Sequence, residues 1–387
     1  MKTLWCVLAL GLAMLGMSAE AQLPTSVSEP YLRYVEALEA GDRHAAADAA
    51  VRAWQAGQVA QIDGPTLAAL GTNAIAATDE TEQWAVLGPL ALDVGRLLAE
   101  QGDPETAMAV FVRGRAGAMI DRNRLVDGRL RREAVLVFAN AQALDPDWLI
   151  SLLGVAHGLD LERLDPVEVE AAFIEEMQDP DPDPDRLVNF ALMALTNGPE
   201  RDAAARLGIV TDTVALLQEH GRADPERIDP LLAFAGHALA DLEVTGSGVA
   251  GLDPQLAPAW CGYLERQLVP LGDEVETRYP PRALERGQRA AVTQQRLSVP
   301  AAGGRARILG TAQEFWRSQA RPGYFSRASE RRLLSFEFRP TCTGTGEDRI
   351  VDVYEAFATV SRQGRGGYDV LGAVVSRYVV LADEHAD

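Results

Sequence analysis

Lysine is nearly missing from this chain: Lys2 is the only one in 387 residues, so every later basic side chain of fixed charge is an arginine. That excludes chemistry built on a primary ammonium, such as a phosphate-loop lysine, a Schiff base or a Ser-Lys dyad. The chain also lacks a G-x-S-x-G elbow, an H-E-x-x-H helix and a C-x-x-C pair. With these go the commonest hydrolase, zincin and dithiol signatures. Its five histidines (His44, His157, His220, His237 and His385) are scattered, with no metal-ligand spacing among them. Aromatic residues make up only 6%. After the leader, no apolar run reaches the roughly 20 residues that a bilayer crossing needs.

What is present begins with that leader. Residues 1–21 read as a cleavable secretory signal: Lys2 gives the positive start, Leu4 to Leu15 the apolar run, and Ala19-Glu20-Ala21 the small-residue cleavage site. The expected location is the periplasm. A retained anchor is the alternative. Removing the signal leaves Cys261 and Cys342, and an even count in an oxidising compartment predicts a disulfide, with two buried thiols as the other possibility. A loop of this length is stabilised by about 4 kcal/mol in the chain-entropy account.

Charge is divided unevenly. From Gln22 to Ala257 there are 17 arginines against 39 acids, whereas Pro258 to Asp387 carries 18 arginines against 16 acids. The acidic front repels nucleic acid and anionic lipid. One basic run interrupts it, holding Arg113, Arg115, Arg122, Arg124, Arg129, Arg131 and Arg132. It reads either as internal salt-bridge partners or as an anionic docking patch.

From Pro30 to about Glu243 the apolar spacing is helical. Ser28 is positioned to cap a helix carrying Tyr31, Tyr34, Val35 and Leu38 on one face, ended by Gly41. Asp42 then caps a helix with a seam of Ala46, Ala49, Ala50, Ala53 and Trp54. This αα-hairpin resembles a tetratricopeptide-type unit. A second Gly-Asp turn comes at Gly102-Asp103, 61 residues after the first, which is not the tetratricopeptide period of about 34. An irregular α-solenoid over residues 22–250 is expected, with an orthogonal helical domain as the alternative. Asp165-Pro166, Asp224-Pro225 and Asp229-Pro230 mark helix starts. Asp179 to Asp185, alternating Asp and Pro, reads as a stiff connector rather than a calcium loop. Thr245-Gly246-Ser247-Gly248 marks a domain boundary within 244–258.

Beyond it, Ala290–Val299, Arg305–Leu309, Ser335–Arg339, Arg349–Val360 and Val370–Leu381 read as strands and Ser326–Leu334 as a helix, giving an α+β domain with an antiparallel sheet over 258–387. Here Tyr279, Pro280, Ala283 and Gly287 fit a Tyr-Pro-x-x-Ala-x-x-x-Gly turn and helix. Further on, a helix runs into an aromatic strand closed by Phe336, Phe338, Arg339 and Pro340. The segment from Tyr279 to Val360 resembles the TonB C-terminal domain family. It departs from that pattern at Ala290-Ala291, where the family has glycine, and at Gln294-Gln295-Arg296, which break the alternation.

The resemblance implies a module that accepts an extended peptide by strand addition to a sheet edge. The receiving edge is expected at Val351, Val353, Glu355, Phe357 and Thr359, unless the chain's last strand already covers it. Together these features describe a non-catalytic periplasmic scaffold that binds other envelope proteins or a peptide segment, uses no cofactor or metal and does not bind nucleic acid. A TonB-type energy transducer, were the N-terminus retained, and a carboxylate-dependent cell-wall hydrolase are the alternatives.

Overall fold

A computed structural model describes residues 23–141, 144–145, 147–159, 164–271, 280–316, 319–320, 323–358, 360–364, 367–371 and 376–381. The signal segment, Tyr279 and Thr359 lie outside these. The chain is mostly helical with an antiparallel sheet near its C-terminal end, and it divides into two compact units, Met1–Asp121 and Arg122–Asp387.

The described part of the first unit holds α1 (Thr25–Ala40), α2 (Arg43–Val59), α3 (Gly64–Glu80), α4 (Trp84–Glu100) and α5 (Pro104–Ile120). Helix α1 starts before the expected cap, so Pro30 lies inside it. The turns share one chemistry. Gly41, Gln61, Glu82 and Gly102 each take a left-handed conformation, with φ of 75°, 49°, 57° and 81°. The next amide then reaches back five residues, as in Asp42 N–H to the Ala37 carbonyl (2.9 Å) and Asp103 N–H to the Leu98 carbonyl (2.9 Å). Such closures satisfy carbonyls that a helix end leaves open. Asp42, Asp63 and Asp103 accept from the third amide of the succeeding helix, at 3.0, 3.0 and 3.2 Å. Small residues bring the helices close. A Cβ added at Gly71 would stand 2.7 Å from Val94 and 2.8 Å from the Trp54 ring, and one at Gly95 would fall on Phe111.

In the second unit come α6 (Arg124–Asn140), α7 (Asp147–Gly158), α8 (Pro166–Gln178), α9 (Pro184–Asn197), α10 (Ala203–Glu219), α11 (Pro225–Asp241) and α12 (Ala257–Arg266). The Asp-Pro connector is a short turn whose Asp183 caps α9, and whose Asp181 pairs with Arg222 at 2.9 Å. Asp224 caps α11, so Pro230 falls inside that helix and Asp229 instead pairs with Arg266 at 2.6 Å. The boundary expected within 244–258 is not where the compact units part. One hydrophobic cluster runs from Leu125 through Val188, Val210 and Leu232 to Trp260 and Leu264, with Cys342 packed on it. Burial across 244–258 therefore joins α6 to α11 with α12 and the Cys342 loop. Three arginines of the basic run have acidic partners within their own unit: Arg113 pairs with Asp79 (3.2 Å), Arg129 with Asp185 (3.6 Å) and Arg131 with Asp127 (3.3 Å).

After the short α13 (Pro281–Glu285) come β1 (Ala290–Val299), β2 (Gly304–Arg305), β3 (Arg307–Trp316), β4 (Gln319–Ala320), α14 (Tyr324–Ser335), β5 (Glu337–Phe338), β6 (Arg349–Ala358), β7 (Val360–Gly364), β8 (Gly367–Leu371) and β9 (Ser376–Leu381). The expected last strand is thus two, β8 and β9. The main sheet has the order β4-β3-β1-β6-β9, with β2-β5 and β7-β8 as separate pairs. Helix α14 packs on β1 and β3, while α6 and α7 lie against β1 and β6.

Candidate docking edge

Strand β6 is not an edge. It pairs with β1 along its whole length, from Arg349↔Val299 to Ala358↔Ala290. On its other side, Val351 to Ala356 pair with Leu381 to Ser376 of β9. The expectation that Val351, Val353 and Glu355 receive a guest strand is therefore corrected, because the chain's own last strand takes that side. Their side chains are engaged too. Val351, Val353, Glu355 and Phe357 are each fully buried. The two valines join Leu297, Val299, Leu333, Phe336 and Phe338 in one cluster, and Phe357 joins Ala283, Ala291 and Phe325 in another. The Glu355 carboxylate accepts from Ser329 and pairs with Arg332, both on α14.

The motif residues are likewise structural. Pro280 and Ala283 are buried, Gly287 turns with φ 69°, and Phe336 and Phe338 stack edge to face with centroids 6.0 Å apart. The polar break in β1 has partners on β6 and α14: Gln294 donates to the Tyr354 hydroxyl (2.9 Å), Gln295 to the Ser326 carbonyl of α14 (2.9 Å), and Arg296 grips Asp352 with two bonds (2.7 and 2.8 Å). Cys261 and Cys342 form a disulfide, with Cα atoms 5.5 Å apart, tying α12 to the loop after β5.

Arg339, fully buried, does something the sequence did not announce. Its Nη1 donates to the carbonyls of Val244 (2.8 Å) and Gly246 (3.3 Å), and the Trp260 indole N–H donates to the Ser247 carbonyl (2.7 Å). Residues Gly246 to Gly251 spell G-x-G-x-x-G, yet they come after a helix rather than a strand and turn carbonyls inward. That polarity is the reverse of a phosphate cradle, which offers amides. Arg349 reinforces the join by donating to the carbonyls of Leu264 (2.6 Å) and Arg339 (2.9 Å). Burial pushes both guanidinium pKa values down.

The open rim lies at the opposite side of the sheet. Among the described residues, β3 meets a strand on its outer side only where Phe315 and Trp316 pair with β4. Arg307, Leu309, Gly310 and Gln313 are exposed or half-buried along it. A bulge divides the rim, because Gly310, Thr311 and Ala312 stand opposite the single Gln295. Next to it, Glu314 turns inward and accepts from the Phe325 and Ser326 amides, both at 3.0 Å, so a β3 carboxylate caps α14. Burial nevertheless outweighs these bonds and raises the Glu314 pKa. Among the described residues no group of His, Cys, Asp and Glu is placed to hold a metal, and no helix is long and apolar enough to cross a membrane. No protein-family model, no curated protein and no solved structure matches this chain.

Proposed function

We propose that this protein is an exported, non-catalytic scaffold of the periplasm. In this reading its C-terminal sheet docks a short extended segment of another envelope protein, and its helices form a solenoid-like platform. The observation that carries the reading is the outer rim of β3 from Arg307 to Leu309, which pairs with no strand among the described residues, with Leu309 38% exposed. A strand rim offers main-chain N–H and C=O groups that an added strand satisfies, while alternate side chains select its sequence. The bulge at Gly310 limits the guest to a short stretch. The likeness of Tyr279–Val360 to TonB C-terminal domains supports the same mode of binding, on a different strand from the one first expected. The signal-like leader and the Cys261–Cys342 bridge fit an oxidising compartment.

A photo-crosslinking residue at Leu309 tests this in envelope extract. One defined partner is expected there, and none from the same residue at Leu242, an exposed apolar position on the helical side. Equal capture at both positions, or capture at neither, overturns the reading. Mass spectrometry of the exported chain is expected to find Gln22 as its first residue.

A further inference from the structure

Helix α8 is apolar on two sides. Val169 and Phe173 face the core, as a helix of a globular unit requires. On the opposite side Val167 is 70% exposed and Ile174 46% exposed, with exposed Ala171 between them. Seven residues make nearly two turns, so these three form one outward stripe. One turn beyond Ile174, Met177 borders an open groove of about 560 Å³ whose other walls are Asp212, Ala215, Leu216, Gln218 and Glu219 of α10, with Gln255. Stripe and groove together run about 15 Å along α8, roughly three helical turns.

The unpaired carboxylates around this surface give it a negative balance: Glu168 and Glu175 run along one side of the stripe, and Asp212 and Glu219 line the groove. None of these four has an ion-pair partner among the described residues. Their neighbours do: Glu170 pairs with Arg201 at 2.9 Å and Glu176 with Arg186 at 2.8 Å. In a chain that pairs so many acids with arginine, an apolar strip left bare beside unpaired carboxylates has a definite complement.

We infer that the outer face of α8 and the adjoining groove bind a cationic amphipathic helix of another protein. Its apolar side covers Val167, Ala171, Ile174 and Met177, and its flanking Lys or Arg residues reach Glu168, Glu175, Asp212 and Glu219. Helix-in-groove binding supplies the apolar burial, and the complementary flanks set orientation and speed of encounter.

The test uses the full chain and three synthetic helical peptides, tracked by fluorescence anisotropy. One has a leucine stripe flanked by lysine, one the same stripe flanked by glutamate, and one lysine flanks with a serine stripe. Only the first is expected to bind, and Ile174→Arg is expected to weaken it at least tenfold. Ile174→Ser, which changes no charge, is expected to weaken it severalfold. Leu242→Arg, a matched charge change at an exposed position elsewhere in the same unit, leaves binding unchanged. Circular dichroism of each variant checks that the exposed substitutions keep the fold. Equal binding of the serine-stripe peptide, indifference to Ile174→Arg, or a homodimer abolished by Ile174→Arg overturns the proposal. The last outcome would make a second copy the occupant.

Discussion

The two units of this protein hold together by different means. In the first, helices meet through alanine and glycine, with Trp54, Leu87 and Phe111 set against small residues, and the ion pairs Arg43–Glu80 and Arg113–Asp79 between helices stay exposed or half-buried. The second adds a buried ion pair, a disulfide and arginines that donate to main-chain carbonyls far away in sequence. Small-residue packing works where successive helices are neighbours in the chain and little loop entropy has to be overcome. Tying the segment after Trp260 to a sheet some eighty residues on costs more chain entropy, and covalent and polar links offset it.

The largest effect on that comparison is expected from Glu355→Ala, which leaves Arg332 buried and without its carboxylate. Removing one member of a buried pair costs about 3–5 kcal/mol. Chemical denaturation should show it as a lower midpoint for the second unit, with the transition of the first unit unmoved. If both midpoints fell together, the units would not be separate in stability. Next, the Cys261→Ser/Cys342→Ser double variant removes a cross-link between residues 81 apart. A loss of about 2–4 kcal/mol is expected, again confined to the second unit, and a reductant should reproduce it in the native chain.

Gly95→Val tests the other side. Its side chain would overlap Phe111, and overpacking of this kind costs about 1–3 kcal/mol, read as a lower midpoint for the first unit alone. The smallest effect is a pH dependence at Glu314. Its folded pKa is raised by burial, so above the ordinary carboxylate range the folded state holds more proton there than the unfolded state does. Stability at this site therefore falls as pH rises from the unfolded value through the folded one. Urea midpoints measured upward from pH 4 should drop less in Glu314→Gln than in the native chain, because the amide oxygen still accepts from Phe325 and Ser326 while the proton is no longer at stake.

Much of the architecture was legible in the sequence. The Asp caps, the Gly-Asp turns, the Ala-rich seam of α2 and strands β1 and β6 all arise from local chemistry, and the even cysteine count pointed to the bridge. The spacing of the first helices was hidden for a physical reason. Their turns recur at about twenty residues, but only Gly41 and Gly102 advertise the left-handed position, while Gln61 and Glu82 adopt it with ordinary side chains. Two glycine turns separated by two silent ones therefore looked aperiodic. The docking edge was misplaced because alternation reveals that a strand is half buried, not which strand lies beside it. Leu381 to Ser376 had to be placed before β6 could be recognised as interior. Arg339 was read as the end of a motif, and nothing local foretold carbonyl partners nearly a hundred residues earlier.

Arginine keeps its proton at any pH a cell or its envelope experiences. The clasp that Arg339 makes with the loop at Val244 and Gly246 consequently has no acid or alkaline release, unlike one built on histidine or a carboxylate. Since the nearby Cys261–Cys342 bridge responds to electrons rather than protons, thiol chemistry offers a way to loosen this junction while leaving the guanidinium in its grip.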